Sequence, residues 1–279
     1  MLVSRFMTRR PVTVGPEQPL EEATLLLEQH GFRHLPVVSG TEVVGMLSDR
    51  DLRLGTGGHR LSALNLPEDA LLPRTVAEIM RTPVVCVESD ERGPLAARHM
   101  IEQRIGALPV LEDGQLVGIV TETNLVSAFR DLCRDPAHAD ELDRPVEEIM
   151  HSPVITLEPD DTLADAIRRC NDWRIRHIPV LQDEALVGIV SDRDIRLALG
   201  RALVADALAL RQGGTASDPD RVDAIMSRQV VSIGPAESLS RAASSMLAQH
   251  VSALPVQLDG MLLGIVTRTD ILEHYGTVA

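Results

Sequence analysis

Four short segments of the chain pair a hydroxyl with a carboxylate or carboxamide three residues later: Ser48 with Asp51, Thr121 with Asn124, Ser191 with Asp194 and Thr267 with Asp270. A hydroxyl followed at that spacing by an acidic residue is the arrangement that opens a helix, because the two side chains satisfy backbone N–H groups left free at its start. The same helix end carries a positive dipole and unpaired N–H groups, which favour a phosphate. A carboxylate placed there can also accept hydrogen bonds from both hydroxyls of a ribose, which no apolar side chain could do. The spacing therefore predicts helix caps that can double as a recognition site for a nucleoside phosphate. Asn124 departs from the pattern, and its uncharged amide predicts the weakest or an empty site.

Basic residues gather near the same segments. Arg33, His34, Arg50, Arg174, Arg176, His177 and Arg193 recur in the first and third, with Arg104 and His250 as counterparts in the other two. Arginine suits phosphate through its rigid fork of donors, although a lone arginine in an acidic chain equally serves as a solvated ion-pair partner. The histidines fit either a pH-sensitive role or neutral packing.

These residues sit in a fourfold internal repeat. Met7, Met80, Met150 and Met226 lead the copies; Pro36, Pro109, Pro179 and Pro255 follow 29 residues later, and Gly45, Gly118, Gly188 and Gly264 a further 9 on. Within a copy, β-branched runs such as Val12–Val14, Val84–Val87, Val154–Leu157 and Val230–Ile233 read as a first short strand. A helix follows, with Ala23, Ala96, Ala166 and Ala242 at one shared position and Leu27, Met100, Cys170 and Met246 one turn on. Two more strands and a closing helix complete a β-α-β-β-α unit. In copy two, Gly93-Pro94 replaces the leucine (Leu20, Leu163, Leu239) that starts the first long helix elsewhere. The Leu/Ile-Pro-Val strands and the recurrent methionines read as core.

One such unit is small for an independent core, so pairing is expected. Copies one and three share Arg-His before the proline and Ser-Asp-Arg-Asp after the glycine, whereas copies two and four read Gly-Ala-Leu-Pro or Ser-Ala-Leu-Pro. The order is A-B-A-B, which predicts an α/β (α+β) chain of two paired modules. The expected modules are 1–135 (copies at about 1–60 and 74–133) and 140–279 (copies at about 143–205 and 219–279), with Asp131–Arg144 as linker.

Composition narrows the function classes. A net charge of −14 and 2% aromatic content argue against a nucleic-acid or anionic-membrane surface. Cys86, Cys133 and Cys170 have no metal-ligand spacing and form no disulfide framework. No apolar run is long enough to span a bilayer and no signal peptide is evident, which predicts a cytoplasmic protein without bound metal.

With its Leu-Pro-Val strands and its Gly-Ile-Val-Thr-x-x-Asp-type ends, the chain resembles the CBS domain family over nearly its whole length. The resemblance implies paired units with two clefts that take adenosyl ligands such as AMP, ADP or ATP. It implies that Ser48, Asp51, Thr121, Asn124, Ser191, Asp194, Thr267 and Asp270 line them. It also implies that backbone groups at Thr13, Cys86, Thr156 and Ser232 read the adenine edge. The expected function is a non-catalytic sensor, without catalytic cofactor, that signals to a separate effector protein. Modules would assemble within one chain or through a homodimer. The rival reading is a scaffold or assembly protein with vestigial pockets. An enzyme is disfavoured, since no Gly-x-x-x-x-Gly-Lys loop or nucleophile–base pair is present.

Overall fold

The protein is described from a computed structural model that covers residues 1–55, 73–198 and 221–278. The expected copy boundaries at 60, 205, 219 and 279 lie outside the described residues. The chain divides into two compact units, residues 1–128 with 276–279, and residues 129–275.

The first unit contains β1 (Thr8–Arg9), α1 (Leu20–His30), β2 (His34–Ser39), β3 (Glu42–Ser48), α2 (Asp49–Gly55), β4 (Val87–Glu88), α3 (Gly93–Gln103), β5 (Ala107–Glu112), β6 (Gln115–Thr121) and the start of α4 (Glu122–Cys133). The second contains the rest of α4, α5 (Pro136–Leu142), α6 (Leu163–Trp173), β7 (His177–Gln182), β8 (Ala185–Ser191), a helix α7 described over residues 192–198, α8 (Val222–Ile225), α9 (Leu239–Ala248), β9 (Ala253–Leu258), β10 (Met261–Thr267) and α10 (Arg268–Thr277).

Each copy is built on one hairpin: β2–β3, β5–β6, β7–β8 or β9–β10. All four carry a register shift one residue before the repeated glycine. A bulge of this kind bends its strand and strengthens its twist. The long helices α1, α3, α6 and α9 lie against the hairpins through the shared alanines, all fully buried. Gly93-Pro94 does not delay the helix in copy two: α3 starts at Gly93, since proline tolerates the first turn.

The first strand of each copy is far shorter than the β-branched runs predict. Only one residue of each run, Val14, Val87, Leu157 or Ile233, reaches the hairpin, as a parallel pairing with Val37, Val110, Val180 or Val256; in copy two the pairing goes on beyond the run, Glu88 to Leu111. The reason lies upstream. The residue after each leading methionine pairs instead with the other copy of the module: Thr8 with Ile119, Arg81 with Met46, His151 with Ile265 and Ser227 with Ile189. The intervening residues must carry the chain from one hairpin to the next, so they run without a ladder and turn through bends, at Arg10 (φ 50°) in copy one and at Thr82-Pro83 in copy two.

This crossing exchanges the leading segments. Val3, Val76, Val146 and Val222, each four residues before its methionine, are fully buried. Val76, Ile79 and Met80 of copy two pack into the core of copy one, with Leu20, Leu35 and Leu47. Val222, Ile225 and Met226 of copy four do the same in copy three, with Leu163, Ile178 and Val190. In the opposite direction, Val3 N–H donates to the Glu91 carbonyl at 2.8 Å and Val146 N–H to the Glu237 carbonyl at 2.8 Å. A second apolar cluster, Met46, Ala107 and Ile119 with Val84, joins copies one and two. Burying each such valine is worth about 1.5–3 kcal/mol, and that burial exists only when both copies are present.

The segment expected as a linker is largely helical. Asp135 caps α5 by accepting from Ala137 N–H at 3.0 Å, and Pro136 occupies the first turn. Asp-Pro is itself a helix-start signal, which outweighs its breaker character here.

Candidate functional site

The three hydroxyl–carboxylate pairs and the Thr121–Asn124 pair all form reciprocal caps. Asp51 Oδ2 accepts from the Ser48 N–H at 3.0 Å and from the Ser48 hydroxyl, while the Asp51 N–H donates back to Ser48 Oγ at 3.2 Å. Asp194 Oδ2 accepts from the Ser191 N–H at 2.8 Å and hydroxyl at 2.6 Å. Asp270 Oδ2 accepts from the Thr267 N–H at 2.6 Å and hydroxyl at 3.0 Å. Asn124 Oδ1 accepts from the Thr121 N–H at 2.9 Å and hydroxyl at 2.7 Å. Capping therefore consumes one side-chain oxygen at every site and leaves a second atom pointing elsewhere.

What meets that second atom differs from copy to copy. Asp51 Oδ1 accepts from Arg81 Nε at 2.8 Å. Asp270 Oδ1 lies 2.9 Å from His151 Nε2. Asn124 Nδ2 donates to the Phe6 carbonyl at 3.1 Å. Among the described residues nothing bonds to Asp194 Oδ1, and Ser227 at the position equivalent to Arg81 makes no hydrogen bond to it. Each of these neighbours belongs to the exchanged segment of the other copy.

Asn124 is thereby explained. An aspartate would turn its second oxygen toward the Phe6 carbonyl, two acceptors with no proton between them, whereas the amide supplies the donor.

Burial shapes the electrostatics. Asp51 and Asp270 are buried, at 8% and 5% relative exposure. Burial, foremost, holds the Asp270 carboxyl above its usual range, against the Thr267 backbone bond and the His151 charge. His34 and His177 are half-buried at the junction of their copies. A Cβ on Gly106 would stand 3.1 Å from His34 Cε1, and His177 Nε2 is 3.3 Å from Ser252 Oγ. Desolvation is the largest influence and lowers both imidazoles to about 4; Arg33 and Arg176 push the same way, while Asp49 and Asp194 oppose it. The small residues Gly106 and Ser252 thus stand where their module partners' histidines need room, which is the physical content of the A-B-A-B alternation.

The other basic residues are exposed. Arg33, Arg50, Arg176 and Arg193 flank the strand ends and helix starts. Arg104, Arg174 and His250 adopt the left-handed conformation just past α3, α6 and α9, at φ 53°, 53° and 54°, where copy one has Gly31. Their backbones thus serve as C-terminal caps whatever their side chains do. On the first-strand positions, Thr13 and Ser232 are exposed, Cys86 and Thr156 half-buried, and the Thr156 carbonyl already accepts from Arg169.

Sequence reasoning missed Arg81 and His151. The signal was available: aligned on the methionines, the next residue reads Thr8, Arg81, His151 and Ser227, a long nitrogen-bearing side chain in two copies and a small hydroxyl in two. What the sequence could not show is that this residue faces the other copy's aspartate. Among the described residues no group of three or more His, Cys, Asp or Glu is placed to hold a metal ion, and no helix is long and apolar enough to cross a membrane.

Comparison with known proteins gives a consistent match. The CBS domain family matches residues 3–54, 76–131, 146–201 and 222–276. An uncharacterized 33.4 kDa protein from the ribosomal RNA operon of Thermofilum pendens is 32% identical over 276 residues, covering 95% of this chain and 88% of that protein. Protein MJ1225 of Methanocaldococcus jannaschii is 26% identical over 280 residues, covering 96% of each. Its crystal structure, reported as that of a proposed archaeal homologue of g-AMPK, superposes with a TM-score of 0.74 at 25% identity, over 99% of this chain and 100% of that one. An uncharacterized conserved protein of Pyrococcus horikoshii shares the fold at 21% identity, with a TM-score of 0.67 over 99% of this chain and 100% of that one.

Proposed function

The chain belongs to the CBS domain family, and from that premise we propose that it is a non-catalytic regulatory sensor of adenosyl ligands such as AMP, ADP or ATP. Asp51, Asp194 and Asp270 bind ribose hydroxyls through the oxygen that capping leaves over. Ser48, Ser191 and Thr267 fix those carboxylates in place. Exposed Arg33, Arg50, Arg176 and Arg193 supply phosphate contacts. The observation that carries this reading is the repeated geometry itself: each carboxylate is locked by its own helix start, and at Asp51 and Asp270 the second oxygen meets the exchanged segment of the other copy. The likeness to MJ1225, proposed as a homologue of g-AMPK, supports it.

In this reading a ligand bridges two copies, and it shifts their packing by as much as its affinity differs between the two arrangements. A separate effector protein reads the shift. No step requires a catalytic cofactor.

The scaffold reading has one observation in its favour: Arg81 and His151 already occupy two of the carboxylates. A thermal-shift panel of AMP, ADP, ATP, NAD and S-adenosylmethionine on wild type, Asp51→Ala and Asp194→Ala separates the two. A ligand at 100 times its dissociation constant adds about 2.7 kcal/mol of stability. A shift reduced by Asp194→Ala supports the sensor; no shift with any of them supports the scaffold.

A further inference from the structure

We infer that Arg81 and His151 decide which clefts take a ligand first, so that the Asp194 cleft fills before the Asp51 and Asp270 clefts, whose second oxygens the protein's own side chains already engage. This rests on the ribose role proposed above for the aspartates.

The three aspartates are alike in their caps and differ in what faces their second oxygen. At Asp51, the guanidinium of Arg81 reaches across from copy two and donates at 2.8 Å. Arg81 is not there by chance of a long side chain: its backbone is clamped to Met46, with the Arg81 N–H donating to the Met46 carbonyl at 2.9 Å and the reverse bond at 3.2 Å. His151 is clamped to Ile265 in the same way, at 2.9 and 3.1 Å, and its Nε2 lies 2.9 Å from Asp270 Oδ1. Ser227 is clamped identically to Ile189, at 2.9 and 3.1 Å, but has no cation to offer Asp194. One backbone clamp thus carries three different side chains, and two of them reach the aspartate of the other copy.

A ribose hydroxyl arriving at Asp51 or Asp270 competes for an oxygen that is already engaged, whereas at Asp194 it meets an acceptor open among the described residues. The competitor can leave: Arg81 is 51% exposed and His151 68%, while Asp51 and Asp270 are 8% and 5%. The exposed side chain therefore swings into water, and the buried carboxylate stays. A half-exposed ion pair of this kind is weak, so releasing it changes ligand affinity by up to about fivefold.

The probe that isolates the competition is adenosine, because without phosphate it gains nothing from a nearby guanidinium. Adenosine is titrated calorimetrically into the full chain as wild type, Asp194→Ala, Asp194→Ala/Arg81→Ala and that double variant with Asp51→Ala. Asp194→Ala removes the tightest event. Adding Arg81→Ala then tightens the residual binding about fivefold, and Asp51→Ala abolishes the gain. Arg81→Gln, which keeps side-chain length, replaces the alanine variant should that one melt early. Survival of the tightest event in Asp194→Ala, or residual binding unmoved or weakened by loss of Arg81, overturns the inference and leaves the ligand reading standing. Heat absent from every variant with adenosine, AMP and ATP removes both together.

Discussion

A Cβ added to Gly118 would stand 2.5 Å from the Sδ of Met7, which belongs to the other copy of the same module. The reciprocal contact, Met80 over Gly45, has the same form at 2.6 Å, and Met150 and Met226 cover Gly264 and Gly188 in the second unit. The two most regular features of the repeat, its methionine and its glycine, are thus two halves of one contact made between copies. A methyl group on the glycine forces the thioether away from a packed surface; overpacking of this kind costs about 1–3 kcal/mol. Gly118→Ala is expected to destabilise by that amount in chemical denaturation. Met7→Ala alone leaves a cavity costing about 2–5 kcal/mol. Because the new methyl fills part of that cavity, the double variant should lose clearly less than the sum. Strict additivity would mean the two residues do not share the space.

The exchange of leading segments predicts that no copy is stable alone. Residues 1–60 lack Val76, Ile79 and Met80, which complete their core. That fragment should show coil-like circular dichroism and no cooperative melt. Residues 1–135, which contain both copies, should melt cooperatively. A folded single copy would refute the exchange.

His34 and His177 set a pH window for stability. Burial lowers both to about 4 from 6.5, so the neutral form is favoured in the folded state. Such a group contributes fully above its unfolded value and loses that contribution as pH falls from 6.5 toward 4. A shift of this size corresponds to about 3 kcal/mol per histidine at the low end of the window. The melting midpoint should therefore drop steadily between those pH values. In a His34→Gln/His177→Gln variant the drop should be much shallower, and an equally steep one would place its origin elsewhere.

Asn124→Asp tests the reason for the odd member of the four. It puts a carboxylate oxygen against the Phe6 carbonyl where the amide donates at 3.1 Å. Leaving a part-buried acceptor unpaired costs about 1–3 kcal/mol. The substitution that restores the repeat's own pattern is thus expected to destabilise it, and a neutral or stabilising result would sever Asn124 from Phe6.

The cysteines should be quiet. Burial raises the Cys133 thiol to about 12 and Cys170 to about 11, and it raises Cys86 as well. Since the thiolate is the reactive form, a disulfide reagent at pH 8 should label the native protein very slowly and all three cysteines on unfolding. Rapid labelling of Cys133 in the native state would contradict the burial.

The repeat, its four caps and the hairpin-plus-helix order of each copy were legible in the sequence, because they follow from local chemistry. A hydroxyl three residues before a carboxylate caps a helix wherever it sits, and alanines at one shared position mark one helix face. The alternation of Arg-His with Gly-Ala or Ser-Ala also marked the copies as unlike in pairs. Tertiary structure alone decided which copy each leading segment belongs to in space. That choice trimmed the β-branched runs to single bridging residues, placed Met7 on Gly118, and set Arg81, His151 and the Phe6 carbonyl against three of the four caps. Sequence spacing fixes neighbours along a chain, whereas these partners lie 30 to 119 positions apart and meet only because two small, incomplete cores close by trading their leading segments.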